Sequence, residues 1–282
     1  MCRHIFTYRA PAASLVVLIL ALACTALRAE VGATDVASVP DFSSSRAAWI
    51  ATSNDFIPPA QGPKPVSFDP AYPYVPNNLR RQATFRIADL GNPNLLPWAR
   101  EQMKTSNEAV LAGKIAYTPR SSCRPAGVPA FMLFIVEPIF FIQSPREVLI
   151  IYSGDQQVRH IYLDVGHAAN PKPSWYGESV GRYQNGALLI DTIAFNDKTF
   201  VDNYRTPHTD KLHVAERWKL AEGGKMLETE FTVEDPGTFV APWSGIQRYR
   251  RVQEMMGEQV CAENNTGAVF DYHIPVADKP DF

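Results

Sequence analysis

A change of texture near residue 130 constrains this chain more than any other feature. From Ala130 to about Glu263, short runs rich in β-branched and aromatic residues recur, with turn residues between them. Such runs read as strands. They fall at Phe131–Glu137, Ile139–Gln143, Glu147–Tyr152, Val158–Asp164, Glu178–Tyr183, Ala187–Phe195, Leu212–Leu220, Met226–Glu234, Trp243–Arg250 and Gln253–Cys261. The breaks carry turn chemistry: Ser153-Gly154-Asp155, Gln184-Asn185-Gly186, Glu222-Gly223-Gly224 and Asp235-Pro236-Gly237. No helix-length pattern separates the runs, which argues against parallel βαβ units and for consecutive antiparallel hairpins. The expected fold class is all-β, an antiparallel lipocalin-like barrel over residues 130–264. Closure removes exposed edges, and a barrel of roughly eight strands has room for one small ligand. A two-sheet β-sandwich is the alternative.

Residues 30–129 have a different character. They hold 13 of the 23 prolines, and proline removes backbone donors and fixes φ, so this part is expected to be an irregular arm rather than regular sheet. One helix is expected near 95–112, capped by Asn94, with Pro97 in its first turn and an apolar side of Trp98, Met103, Ala109, Val110 and Leu111. Residues 265–282 read as a C-terminal tail.

The first 29 residues read as a secretory signal peptide: Arg3 and Arg9, then an uncharged, mostly apolar stretch from Ala10 to Leu27, with Ala26 or Ala29 before the cut. An uncleaved anchor, or lipidation at Cys24, are the alternatives. The expected location is the periplasm or outside the cell, with no transmembrane segment in the mature chain. Two cysteines remain there, Cys123 and Cys261, and in an exported chain two cysteines can pair as a disulfide; two separate buried thiols are the other reading. Net charge is −2 for the whole chain. Without the three arginines of residues 1–29 it becomes 24 basic against 29 acidic residues. A mildly acidic chain with no basic run is a poor nucleic-acid binder, so no nucleic-acid partner is expected.

From about Leu95 to Asn264 the chain resembles a family of exported bacterial β-rich proteins. The resemblance lies in Leu96-Pro97-Trp98-Ala99, in Cys123-Arg124-Pro125-Ala126-Gly127-Val128-Pro129, in His208-Thr209-Asp210-Lys211-Leu212-His213-Val214-Ala215-Glu216-Arg217, and in Glu234-Asp235-Pro236 and Cys261-Ala262-Glu263-Asn264. It implies export and a β-rich fold, and no reaction. The chain departs from the family pattern at Tyr183, where relatives carry tryptophan, and at Glu178, where they carry histidine.

Strand alternation selects the candidates for chemistry, because alternate side chains share a face. Leu212, Val214, Glu216, Trp218 and Leu220 share one face, which makes Glu216 a lone carboxylate among apolar neighbours. Such a group must be paired, hydrogen-bonded or protonated, and burial tunes it as a general acid or base. Asp191 stands with Leu189, Ile193 and Phe195 in a strand apolar on both sides; two inward carboxylates could divide acid and base roles. Val158, His160, Tyr162 and Asp164 share a further face, where His160 and Tyr162 could move protons. The catalytic set is thus Glu216, Asp191, His160 and Tyr162. The ligand-binding set is Trp218 beside Glu216, His213 and Arg217 on the opposite face of that strand, and Trp175 in a loop. The structural alternative for Glu216 is a buried arginine partner. The spacing of His167, His208, Asp210 and His213 matches no zinc motif, so neither a metal nor any other cofactor is expected.

The function these residues suggest is binding of a small, largely apolar or aromatic molecule in the barrel, and its transformation by metal-free acid–base chemistry of the isomerase, hydratase or lyase type. A binding or carrier protein with the same cavity is the main alternative. An envelope protein with a filled barrel and a large exposed apolar patch is the third.

Overall fold

The structure, a computed structural model, describes residues 39–43, 48–72, 86–114, 118–135, 137–154, 156–253, 256–258 and 260. The signal-like residues, the C-terminal tail and Cys261 lie outside the described residues.

Among the described residues, nine strands and one α-helix make the fold: β1 (Ala48–Ala51), α1 (Pro97–Leu111), β2 (Ile139–Gln143), β3 (Glu147–Tyr152), β4 (Val158–Leu163), β5 (Glu178–Gln184), β6 (Ala187–Ile193), β7 (His213–Ala221), β8 (Met226–Glu234) and β9 (Trp243–Val252). The strands close into a barrel in sequence order, and β1 pairs with both β2 and β9. The all-β barrel expected from the strand spacing is therefore the fold. Among the described residues no helix is long and apolar enough to cross a membrane.

The turn chemistry works as its residues dictate. Gln184 pairs with Ala187 across the β5–β6 hairpin, and Asn185 and Gly186 both take positive φ, at 50° and 68°. That is the geometry a two-residue hairpin loop needs, and Asn-Gly supplies it at least strain. Gly177 sits at φ 67°, and a Cβ there would lie 2.4 Å from the Ile193 carbonyl oxygen. Only glycine lets the chain enter β5 so close to β6.

Four expectations are corrected. The proline-rich region does contribute sheet: β1 is a proline-free stretch with all four residues buried, and it is the strand that closes the barrel. Phe131–Glu137 is not a strand. Ala130–Leu133 forms a 3-10 turn with all four residues buried, and a short apolar run by itself does not separate a strand from a buried turn. Its Met132 carbonyl accepts hydrogen bonds from Gln247 (3.1 Å) and Tyr249 (3.3 Å) on β9, so the turn is tied to the wall from inside. The β4–β5 pair is parallel, not antiparallel; residues 164–177 form a connection long enough to carry the chain back along the barrel. Past Val252, Gln253 and the other described residues of the expected last strand lie outside any strand.

The helix also differs in detail. Leu96, not Asn94, occupies the N-cap, and no side chain caps it. Asn94 instead exchanges two hydrogen bonds with the Ala241 backbone, at 2.8 and 3.0 Å, holding the helix entry to the β8–β9 connection. Ala99, Met103, Asn107 and Val110 form its buried side, whereas Trp98 and Leu111 are exposed.

Large side chains occupy the barrel interior. Trp49, Trp218, Trp243 and Tyr249 are fully buried. Trp218 packs against Phe141 (5.6 Å between ring centroids) and Tyr249 (5.5 Å), and Phe231 against Phe56 (4.5 Å) and Trp243 (5.8 Å). Burial of such rings dominates core energetics. The two clefts described below both open on the outside of the wall.

Candidate functional site

Inside the barrel, Glu216 and Trp218 point inward from β7 as their alternation requires, and both are buried. Glu216 has a charged partner there. The Arg159 guanidinium, on β4, meets it side by side: Nη1 donates to Oε1 at 3.1 Å and Nη2 stands 2.8 Å from Oε2. Arg159 also donates to Ser179 Oγ (3.2 Å) and Thr192 Oγ1 (2.8 Å), and its charge lies 5.4 Å from the Phe131 ring centre. The lone carboxylate is thus matched by a lone guanidinium on another strand, the structural alternative weighed for it. Trp218 is core packing at this depth. Both ionic partners lie beside Tyr249, whose phenol is pushed up by burial first and by the Glu216 charge second.

Asp191 faces the other way. The inward residues of β6 are Leu188, Ile190 and Thr192, and Asp191 projects from the outer face. The expectation of two inward carboxylates is corrected by this. A strand with apolar residues on both sides gives no alternation signal, so side choice falls to the barrel.

On the outside, Asp191 is the centre of a chain of carboxylates and imidazoles. Its Oδ2 is 2.9 Å from His167 Nε2 and its Oδ1 is 2.5 Å from His213 Nε2. The far nitrogens continue the chain: His167 Nδ1 to Glu178 Oε1 at 3.0 Å, and His213 Nδ1 to Glu234 Oε2 at 3.4 Å. Four strands and one loop supply these five residues, because β5, β6, β7 and β8 lie side by side and the crossover drops His167 onto β5 and β6. Burial pushes the Asp191 carboxyl up, but the hydrogen bonds from His213 and His167 outweigh it and hold Asp191 below the usual carboxylate range. Burial alone would lower His213; the Asp191 and Glu234 carboxylates more than reverse this and hold it above the usual histidine range. Each group thus favours the charged form of the other, Asp191 as carboxylate and His213 as imidazolium.

Asp191 also lines a groove of about 820 Å3 over the outer face of β5–β9. Val180, Leu189, Ala215 and Ile246 give the groove an apolar floor, and Arg182 and Arg217 stand among them. Of the expected binding residues, His213 thus meets Asp191, and Arg217 lines the same groove, outside the barrel and not inside it. Trp175, the last of the expected binding residues, lines a second cleft of about 570 Å3 beside β4, together with His160 and Tyr162 of the expected catalytic set. There His160 Nδ1 lies 2.6 Å from Glu147 Oε1, and its ring stacks near Tyr162 with centroids 6.2 Å apart. Glu178 belongs to this second cleft as well, so the Glu178–His167–Asp191 chain runs from one cleft to the other.

The residues expected to act together therefore separate into an interior ion pair, an outer groove and a second cleft. Sequence reasoning missed Arg159, Glu178, Glu234 and Arg182, and raised His167 only as a weak metal ligand. Arg159 had a readable signal: with Ile161 and Leu163 it forms the apolar face of β4 opposite His160 and Tyr162. His167 sits in a loop and had none. His208 is turned into the fold, 2.7 Å from Thr199 Oγ1 and 2.9 Å from the Thr209 carbonyl, and burial lowers its affinity for a proton. Among the described residues no group of three or more His, Cys, Asp or Glu is arranged to hold a metal ion. Comparison of the chain with family models, with curated proteins and with solved structures finds no match.

Proposed function

We propose that the protein binds a small molecule in the outer groove over β5–β9 and moves a proton between that molecule and the Asp191-centred chain. The observation that carries this reading is the double membership of Asp191, which lines the groove and holds two imidazoles at 2.9 and 2.5 Å. A histidine whose carboxylate partners strengthen its hold on a proton, beside a solvent-accessible groove, is an acid able to act near neutral pH. Removing the carboxylate while keeping the shape tests it. Asp191→Asn, incubated with a broad extract of apolar and aromatic metabolites, should lower the conversion of any compound turned over by the wild type about 100-fold, read by mass spectrometry on bound and free fractions. Equal conversion by both proteins would remove the chain from the chemistry.

A carrier is the second reading. It is favoured by the occupation of both Asp191 oxygens by imidazoles, which compete with a substrate proton for the carboxylate. A compound retained unaltered by wild type and variant alike is its expected result.

Export to the periplasm or beyond belongs to the same proposal, on the strength of residues 1–29. So does the Cys123–Cys261 bridge, supported by an oxidising compartment and by Cys123 being disulfide-bonded. Thiol titration of the denatured protein without reductant, with residues 1–29 removed, should find no free thiol; two free thiols would rule the bridge out.

A further inference from the structure

The register of the outer face places two arginines in one row. Across β5 to β9 the directly opposed residues are Arg182, Leu189, Arg217, Glu230 and Ile246, and the next row holds Val180, Asp191, Ala215, Thr232 and Ser244. Arg182 and Arg217 therefore flank Leu189 from strands two apart, about 10 Å between backbones. Two side chains of that length can bring their forks together above the leucine.

Neighbouring charges on the same face are paired. Lys219 contacts Glu228 at 3.0 Å and Glu230 at 2.6 Å, Arg248 contacts Glu228 at 2.7 Å, and His213 contacts Asp191 and Glu234. Glu230 stands opposite Arg217 in the register but is drawn to Lys219. Arg182 and Arg217 make no hydrogen bond or ion pair among the described residues. Asp164 also lines the groove, its backbone bonded to Gly181 at 2.9 Å, so the groove sets one open carboxylate against two open guanidiniums. Val165, Val180, Leu189, Ala215 and Ile246 give the lining its apolar part, beside Asp191, Glu230, Thr232 and Ser244.

We infer that this groove takes a small amphipathic oxyanion, its head held by Arg182 and Arg217 and its apolar body laid over Leu189 and Ile246. The inference rests on the groove being the binding site and names the class of molecule it takes. The guanidinium fork matches a carboxylate or phosphate with two parallel hydrogen bonds. A space of about 820 Å3 is of the size that holds a compact organic ligand.

Isothermal titration of the protein with octanoate, octyl phosphate and octanamide tests it. Octanoate, octyl phosphate or both should bind at least ten-fold more tightly than octanamide, and the comparison between the two anions identifies the head group. The double variant Arg182→Gln/Arg217→Gln should lose that preference, with octanamide binding unchanged. Equal binding of octanamide, an undiminished preference in the double variant, or no binding of any of the three overturns the inference. Asp191→Asn separates it from the proton-transfer reading: with the arginines intact it keeps the oxyanion preference even if turnover proves independent of Asp191.

Discussion

Replacing Arg159 with methionine should lower the unfolding free energy by about 3–5 kcal/mol, a large part of the roughly 5–15 kcal/mol that holds a typical domain. The side chains of Arg159 and Glu216 are 2% and 0% exposed, so the variant leaves a carboxylate facing a packed, apolar interior. That charge must then stay buried without its partner or take up a proton, and both routes destabilise the fold. Ser179 and Thr192 retain each other at 3.0 Å, so the loss reports mainly on Glu216. The double replacement Arg159→Met/Glu216→Leu should recover most of it, because a well-packed apolar pair of similar volume can substitute for a buried ion pair. Urea denaturation of the three proteins gives the comparison. A loss below about 1 kcal/mol in the single variant would mean that Glu216 has other compensation.

Asp202 should make the fold more stable at pH 4.5 than at pH 7.5, by about 2 kcal/mol from this group alone. Its carboxyl is buried in the segment between β6 and β7, and burial is the main cause of its rise to about 6; hydrogen bonds from Thr206 and Tyr204 and the Arg205 charge only partly oppose that rise. Arg205 is itself lowered to about 10, by burial first and by the charge of Arg86 second. Because the folded form holds its proton more tightly than the unfolded chain does, the contribution is fully present below about pH 3.8. It is lost as pH rises through about 6. Asp202→Asn keeps an oxygen that accepts from the Tyr204 and Thr206 backbone N–H groups, now at 2.8 and 3.1 Å, and has no proton to lose. Denaturation at pH 4.5 and 7.5 should show the wild type losing stability relative to the variant across that interval. Taking the difference cancels the titration of His213 and Asp191, which both proteins share. A constant difference would show that Asp202 is ionised throughout.

The pattern of the strands was largely legible. Turn residues and short β-rich runs place β2 to β9 within a few residues of where they lie, and alternation correctly groups Val214, Glu216 and Trp218 on one side of β7. Local chemistry suffices for this, since period and turn preference act between near neighbours in the chain. The parallel β4–β5 pair was not legible, because pairing direction depends on where residues 164–177 return the chain and not on the composition of either strand.

By itself, then, the amino-acid sequence determined that this protein is built from consecutive short strands and which side chains travel together on each strand; closure into a barrel rather than a sandwich came with the tertiary structure. Only the tertiary structure decided what those side chains meet. Alternation divides β4 into Arg159 on one face and His160 with Tyr162 on the other, and singles out Glu216 on β7. It does not say that Arg159 and Glu216, 57 residues apart, will be neighbours across the barrel. It leaves the side of Asp191 open because both faces of β6 are apolar, and it says nothing of His167, whose position depends on the path of a crossover. The physical reason is one of range: side-chain alternation is a property of a single strand, whereas inside, outside and partner are set by barrel closure and register, which join strands far apart in the chain.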